Sequence, residues 1–200
     1  MKNLFKCSVF LFLVISCNTP KYTYYFDTGK YLDFSQGKWL LNKSKSNSTI
    51  FDKELYQRSK EEFEVILGDS LVEINDLRVD KLIPSKIDFE ITKQELNELY
   101  SLTECTYLIN IKGNIITEGL GSIAVSNSDL STSNQASVFI WIYNLKVGEL
   151  ISSSQVYAEV NSQDSQFDNN SKWKLSTSSH TGMVNGVKKL IGRYNKYKAK

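Results

Sequence analysis

The sequence has few of the residues on which catalytic and metal sites depend. Its 200 residues include one histidine, three cysteines and two prolines, and 24 basic residues nearly balance 22 acidic ones. A chain with a single histidine and so few cysteines is a poor source of the usual ligand set of a zinc site. Motifs of the forms G-x-x-x-x-G-K-[ST], G-x-S-x-G and H-E-x-x-H are absent, which excludes three common phosphate-binding and hydrolytic sites. The near-neutral charge also removes the electrostatic attraction on which nucleic-acid binding relies.

The N-terminal segment has the order of an export signal. Lys2 and Lys6 precede an apolar stretch at residues 7–15, which is far shorter than the about 20 apolar residues of a transmembrane helix. The sequence VISC at 14–17 follows, and it resembles the lipobox of bacterial lipoproteins. The resemblance implies cleavage before Cys17 and acylation of its thiol. Removal of the two lysines leaves 22 basic residues against 22 acidic ones.

An acylated Cys17 predicts attachment to a membrane, because two or three acyl chains give stable anchoring. Asn18 stands where Asp is the inner-membrane retention signal of such lipoproteins. The resemblance therefore implies the outer membrane, with the domain facing the periplasm. An ordinary export signal or a buried N-terminal strand is the alternative. We expect Cys105, the other cysteine left after cleavage, to be a small buried residue with no disulfide partner.

Three parts of the chain are predicted: a lipoprotein signal peptide at 1–16, the acylated cysteine with a tether at 17–37, and a single α/β domain at 38–200. The tether has no sustained helix or strand period. Its tyrosines make it too aromatic for a purely flexible linker, so we expect it to dock partly on its own domain. An adhesive strip for a partner is the alternative.

Apolar periodicity predicts alternating elements along the domain. Thr49 with Asp52 is the expected cap of a first helix that ends at Gly68, and Thr92 with Glu95 forms a capping box for a second. The predicted helices are at about 50–67, after 92, and at about 181–196, and the predicted strands at 38–42, 70–77, 106–116 with an extension at 119–125, 136–145 and 149–160. The order β-α-β-α-β-β-β-α predicts a mixed β-sheet with helices packed on it.

The strand at 136–145 is apolar on both faces, which is typical of a central strand covered on both sides or of one with an adhesive face. One face carries Val138, Ile140 and Ile142. The other carries aromatic rings, and a polar loop at 161–179 holds two more. Together these rings are the predicted partner contacts: Phe139, Trp141, Tyr143, Phe167 and Trp173.

Two phrases extend the resemblance over about residues 38–196. Residues 105–115 read CTYLINIKGNI and residues 143–151 read YNLKVGELI. They resemble a strand start and a hairpin turn of envelope lipoprotein domains, including the amino-terminal domain of the Tol translocation protein, the curli secretion lipoprotein and the lipoprotein activators of penicillin-binding proteins. Asn144 stands where Asp is usual in the turn, and Val147 where Thr is usual. The resemblance implies an α/β domain that binds other envelope proteins.

Few side chains suggest catalysis. Catalysis by His180 would need a nucleophile or carboxylate brought beside it, and nothing in the spacing suggests one, so we expect His180 to be solvated or to cap the last helix. Glu61, Glu62 and Glu64 lie beside basic residues and are typical of a solvated helix face. A calcium contact remains open for four residues whose spacing is not that of an EF-hand, Asp164, Asp168, Asn169 and Asn170.

These observations predict a non-enzymatic, membrane-anchored envelope protein without a cofactor or metal, which assists assembly by binding another envelope protein and does not bind nucleic acid. Two alternatives stay open. One is a homo-oligomeric ring or secretion-channel subunit, and the other is a hydrolase that uses two carboxylates.

Overall fold

The fold is built on one seven-stranded mixed sheet. A computed structural model describes residues 20–80, 83–84, 87–119, 123–124, 133–161, 174–175 and 177–198. The sheet order is β1-β8-β7-β5-β2-β4, and β3 also pairs with β5. The strands are β1 Lys21–Thr28, β2 Trp39–Leu41, β3 Lys45–Ser46, β4 Leu71–Glu73, β5 Tyr107–Glu118, β6 Ile123–Ala124, β7 Ser133–Asn144, β8 Glu149–Asn161 and β9 Lys174–Leu175. Strands β6 and β9 form a separate antiparallel pair.

The sheet is antiparallel on one side and parallel on the other. Strands β1, β8, β7 and β5 pair antiparallel in that order. Strands β2, β3 and β4 are parallel to their neighbours. The predicted α/β class with a mixed sheet is therefore confirmed.

Four helices pack on this sheet: α1 Asp52–Leu67, α2 Ile74–Asp80, α3 Lys93–Thr103 and α4 Ser179–Tyr197. Helices α1 and α4 cover one face, and their apolar sides share one core with the inward side chains of β5, β7 and β8. Helix α3 and three isoleucines that precede it, Ile83, Ile87 and Ile91, contribute to a second core on the opposite face, over β2, β5 and the end of β7. None of the helices in the described ranges is long and apolar enough to cross a bilayer.

Local signals in the sequence set several element ends. The Thr92 hydroxyl accepts the backbone N–H of Glu95, and the Glu95 carboxylate accepts the N–H of Thr92, so the predicted capping box is confirmed. Gly68 ends α1 with a φ of 52°, a left-handed value that favours glycine. The hydroxyl of Ser178 caps α4 by accepting the N–H of Thr181.

The predicted cap of α1 is wrong. Thr49 lies in a 3-10 turn, Thr49–Phe51, and no side chain caps the helix. The Asp52 carboxylate instead accepts the backbone N–H of Ser46 at 2.6 Å and its hydroxyl at 2.7 Å. This acid therefore holds β3 against the start of the helix.

The predicted strand at 70–77 is too long. Strand β4 pairs only with β2, which has three residues, so the ladder ends at Glu73. Beyond it the chain turns into α2, whose first residue, Ile74, is buried in the second core. The alternation of apolar and polar residues over 70–77 carries no information about the length of the partner strand.

The segment expected to be a tether contributes a strand to the sheet. Residues 21–28 form β1, which pairs with β8 from Lys21 opposite Glu159 to Thr28 opposite Ser153. The tyrosines follow a period of two, because Tyr22, Tyr24 and Phe26 all pack on the main core. The sequence reads as an amphipathic edge strand once β8 is present to pair with it.

Helix α4 holds this strand through its side chains. The Arg193 guanidinium lies 4.5 Å from the centre of the Tyr24 ring, and the Lys189 amine lies 5.0 Å from that of Tyr22. Phe26 packs edge-on against Tyr194 of α4, with 5.2 Å between the ring centres. Cation–π and aromatic contacts of this kind add about 0.5–1.5 kcal/mol each beyond simple burial.

A carboxylate joins β4 to α1. Glu73 accepts a hydrogen bond from the Tyr56 hydroxyl at 2.6 Å, and its other oxygen lies 2.5 Å from the Lys60 amine. Burial by itself would raise the pKa of Glu73, but the bonds from Lys60 and Tyr56 outweigh it and hold that pKa below its ordinary value.

We expect Glu73→Gln to reduce stability at neutral pH and to flatten its acid dependence. Because the folded-state pKa of Glu73 is depressed, its contribution is complete above the ordinary pKa of 4.5 and is lost as pH falls through the folded value. Urea unfolding from pH 7 to pH 3 would then show a loss of about 1 kcal/mol for the variant at pH 7, shrinking with acid. Glu149→Gln, an exposed change in β8, is the control. Equal acid dependence in wild type and the Glu73 variant contradicts this account.

Candidate functional site

Among the described residues, no helix covers the face of β1, β8 and β7 that lies opposite α4. Because alternate residues of these strands pack under α4, the intervening residues point to the opposite side. One row runs from Tyr25 through Gln155 and Phe139 to Lys112, and the register pairs each with the next. We call these residues, together with the row beside them, the open face. The row beside them is Thr23, Tyr157, Ser137 and Asn114, of which Ser137 is buried.

The open face combines aromatic rings with polar groups. Tyr25 is 53% exposed, and Phe139, Gln155 and Tyr157 are each partly exposed. Burial and the nearby charge of Glu159 raise the pKa of Tyr157, so its hydroxyl stays protonated at neutral pH. Rings that offer both apolar area and hydrogen bonds are characteristic of protein contact surfaces.

A clamp of buried amides limits the open face on the β5 side. The Asn110 side chain donates to the backbone oxygens of Asp88 and Phe89, at 3.1 and 3.0 Å. Its own oxygen accepts from the Asn42 side chain at 3.0 Å. The Tyr143 hydroxyl also donates to the Phe89 oxygen, at 3.1 Å. Residues 87–89 are therefore fixed over the sheet rather than free to leave it.

This clamp decides which predicted contact residues are available. Tyr143 is buried, with 4% exposure, because it lies under residues 87–91, and burial raises the pKa of its hydroxyl to about 12. Trp141 is half-covered by Phe89, with 4.5 Å between ring centres. Phe139 lies on the open face, whereas Phe167 and Trp173 lie outside the described residues, as does Cys17.

Sequence reasoning missed Tyr25 and Tyr157 as members of this surface. Tyr25 was not predicted because it belongs to the segment that was expected to be a tether. Tyr157 alternates with Val156 and Ala158 in β8, both buried, and this alternation is the signal that could have found it.

A cleft of about 420 Å³ lies beside the N-terminus of α4. His180 stacks on Phe51 with 3.8 Å between ring centres, and its Nε2 lies 2.8 Å from a carboxylate oxygen of Glu54. Sequence spacing gave no sign of this carboxylate, because Glu54 belongs to α1. The nearby Ser178 hydroxyl accepts the backbone N–H of Thr181 at the start of α4. The lining residues are Asn47, Ser48, Phe51, Ile115, Glu118, Ser178 and His180.

The acidic run on α1 is engaged in ion pairs. Glu61 lies 3.0 Å from Arg58, Glu64 lies 3.6 Å from Lys60, and Glu62 lies 3.4 Å from Lys188 of α4. This is the solvated helix face that the sequence predicted. Within the part of the chain that the structure describes, no three His, Cys, Asp or Glu residues are grouped as metal ligands. Asp164, Asp168, Asn169 and Asn170 lie outside that part.

The fold is similar to that of known proteins, although the sequence is not. No family model and no curated protein matches the sequence. The PelC dodecamer from Paraburkholderia phytofirmans is similar with a TM-score of 0.51 and 10% identity, over 87% of this chain and 97% of that chain. A second crystal form, of a variant of that dodecamer, gives a TM-score of 0.50 and 8% identity, over 86% and 98%. The lipoprotein GNA1162 from Neisseria meningitidis gives 0.44 and 12%, over 80% and 99%.

At such identities the likeness to PelC concerns the fold alone. The resemblance to the Tol, curli and penicillin-binding-protein groups, drawn from two sequence phrases, stays a prediction.

We expect Asn110→Ala to release residues 87–89 from the sheet. The change leaves two backbone oxygens and the Asn42 amide with fewer partners inside the protein, which costs about 2 kcal/mol. Asn114→Ala, four residues further along the same strand, is the matched control. Urea unfolding should place the two variants about 2 kcal/mol apart, and amide hydrogen exchange near residue 89 should rise only in the Asn110 variant. Equal stability of the two variants would show that the clamp contributes little.

Proposed function

We propose that this protein is a lipid-anchored accessory protein of the bacterial envelope, that it is not an enzyme, and that it acts by binding another envelope protein through the open face. The observation that carries the proposal is the row of Tyr25, Gln155 and Phe139, an aromatic and polar surface on a sheet that is otherwise covered by helices. The proposed location is the outer membrane, facing the periplasm, through acyl chains on Cys17.

The anchor is supported by the order of the N-terminal segment. A basic start, an apolar stretch, a small residue and Cys17 follow one another, and this is the order that lipoprotein processing requires. The described chain continues in the sheet from Lys21, so the mature protein would have its folded domain immediately after the anchor.

A homo-oligomeric ring is the second candidate, and one observation favours it. Strand β1 pairs with β8 on one side, and its other edge pairs with no strand among the described residues. An open edge of eight residues is a template for a further strand. The PelC structures, which share the fold, are dodecamers.

A hydrolase is the less favoured alternative. The acids of α1 are paired with lysine and arginine, which suits a solvated surface better than a catalytic dyad. The pair of His180 and Glu54 lies beside a cleft, and the Ser178 hydroxyl that lines this cleft caps α4.

We expect the double change Tyr25→Ser and Tyr157→Ser to abolish partner binding while the fold is kept, because neither ring belongs to the two buried cores. The matched control is Val65→Ser, since Val65 is 74% exposed on α1, on the covered side of the sheet. The protein is expressed with its own signal, crosslinked briefly in membranes, and extracted in mild detergent. A heterologous band that is lost only in the double variant supports the proposal.

Other outcomes of that experiment separate the candidates. A single repeated mass that survives the double change favours the ring formed through the edge of β1. A monomer in wild type and in both variants contradicts both binding proposals.

We expect Cys17→Ser to remove the anchor. Metabolic labelling with a radioactive fatty acid should mark the wild-type protein and not the variant, and only the wild type should float with membranes. Labelling that persists in the variant would contradict acylation at this residue.

A further inference from the structure

We propose that one end of the sheet, the end at which β1 begins, lies directly against the lipid headgroups, with Ile50 facing the bilayer. We call it the anchor end. The proposal rests on acylation of Cys17, and it adds the orientation of the domain and a lipid surface as a contact of the folded protein.

The length of chain after Cys17 carries the argument. Strand β1 begins at Lys21, four positions beyond the anchor. Four residues span at most about 14 Å even when fully extended. Lys21 therefore cannot lie farther than this from the Cα of Cys17, whose side chain carries the acyl chains, so the start of β1 stays next to the headgroup region. A tether of twenty residues, as the sequence suggested, would have left the domain free to stand away.

The register of the sheet shows which other residues share this end. Tyr22, the second residue of β1, lies opposite Ala158, and the same row continues through Ala136 to Ile115. The Asn47 side chain extends the row, because it donates to the Ile115 oxygen and accepts the Ile115 N–H, both at 2.8 Å. The turn that follows Asn47 is therefore level with the start of β1.

The same end carries the start of α4 and the last residues of β5. Ser179 donates its hydroxyl to the Thr117 oxygen, and its backbone N–H donates to the Glu118 carboxylate. Helix α4 runs from there to Tyr197, which contacts Phe26 near the far end of β1. Arg193, late in α4, lies over the Tyr24 ring, and Lys189 lies over the Tyr22 ring near the anchor end.

Among the described residues of the anchor end, Ile50 is the apolar side chain with the greatest exposure. It is 79% exposed in the 3-10 turn before α1, and Ile116 near it along β5 is 44% exposed. Apolar exposure alone does not select this end, because Val147 at the opposite end is 47% exposed. The position of Cys17 selects the end at which β1 begins. The opposite end is too far from Cys17 to reach the headgroups, because the thirteen residues of β8 separate the two ends by about 40 Å.

A fluorescence-quenching experiment tests the orientation. Ile50→Cys and Val147→Cys are each labelled with a small environment-sensitive dye, which cannot reach Cys105 because that thiol is 1% exposed. The lipidated proteins are reconstituted in phosphatidylethanolamine and phosphatidylglycerol vesicles that contain a headgroup-level nitroxide lipid. We expect the dye at 50 to lose most of its fluorescence and the dye at 147 to keep it.

A variant with a longer tether tests whether the short distance between Cys17 and β1 causes the orientation. Insertion of about ten Gly and Ser residues between Pro20 and Lys21 adds a mean reach of about 17 Å. The dye at 50 should then recover its fluorescence, while flotation with vesicles stays the same. Quenching that persists with the longer tether would show that Ile50 binds lipid without help from the anchor, and would overturn the role given to the tether.

The remaining outcomes separate this proposal from the anchor itself. Equal quenching at both positions means that the domain lies flat, and no quenching at either means that it stands away; each overturns the orientation while flotation confirms the anchor. A wild-type protein that neither floats nor incorporates fatty acid removes the anchor and the orientation together.

Discussion

The pairing of β8 on both of its edges is the constraint on which the rest of the structure depends. One edge binds β7 along nearly its whole length and the other binds β1, while its buried face carries α4. Helix α4 can approach β8 closely because it has a glycine at position 186, where a Cβ would lie only 3.3 Å from the Val156 side chain. The buried Tyr194 hydroxyl then bonds with Ser152 and Ser154 at 2.7 and 2.8 Å. Without β8 in place, the edge strand has no strand to pair with, and the last helix loses part of the surface on which it packs.

The asymmetry of the two faces creates the surface proposed to bind a partner. Helices α1 and α4 cover one face along β5, β7 and β8. Within the described part of the chain, the opposite face is covered only toward β2 and β5, by α3 and by Ile83, Ile87 and Ile91. The boundary between covered and open sheet falls at Trp141, whose ring meets Phe89. The buried amides of Asn42 and Asn110 fix that boundary, because leaving them unbonded in the interior would be unfavourable.

Patterns that depend on a residue's own neighbours in sequence predicted the structure well. The capping box of Thr92, the end of α1 at Gly68 and the period of α4 are such local signals, and the order of elements followed from them. Features that depend on a residue distant in sequence were not predicted. Residues 21–28 form a strand because β8 pairs with them, and β4 is short because its partner β2 is short. Tyr143 is buried because residues 87–91 lie over it. The approach of Glu54 to His180 was hidden for the same reason, since the two residues are brought together only when α1 and α4 pack side by side.

The short distance between Cys17 and β1 affects which partners the domain can bind. Because β1 follows Cys17 so closely, an anchored domain would hold its open edge and its open face at a fixed height and direction relative to the membrane. Copies of the chain confined in this way share one plane and one orientation, which raises their effective concentration for contacts between edges. The same restriction limits a heterologous partner to proteins that reach this height above the membrane. A short anchor thereby favours assembly at the membrane without any additional contact, because it removes orientational freedom that binding would otherwise have to overcome.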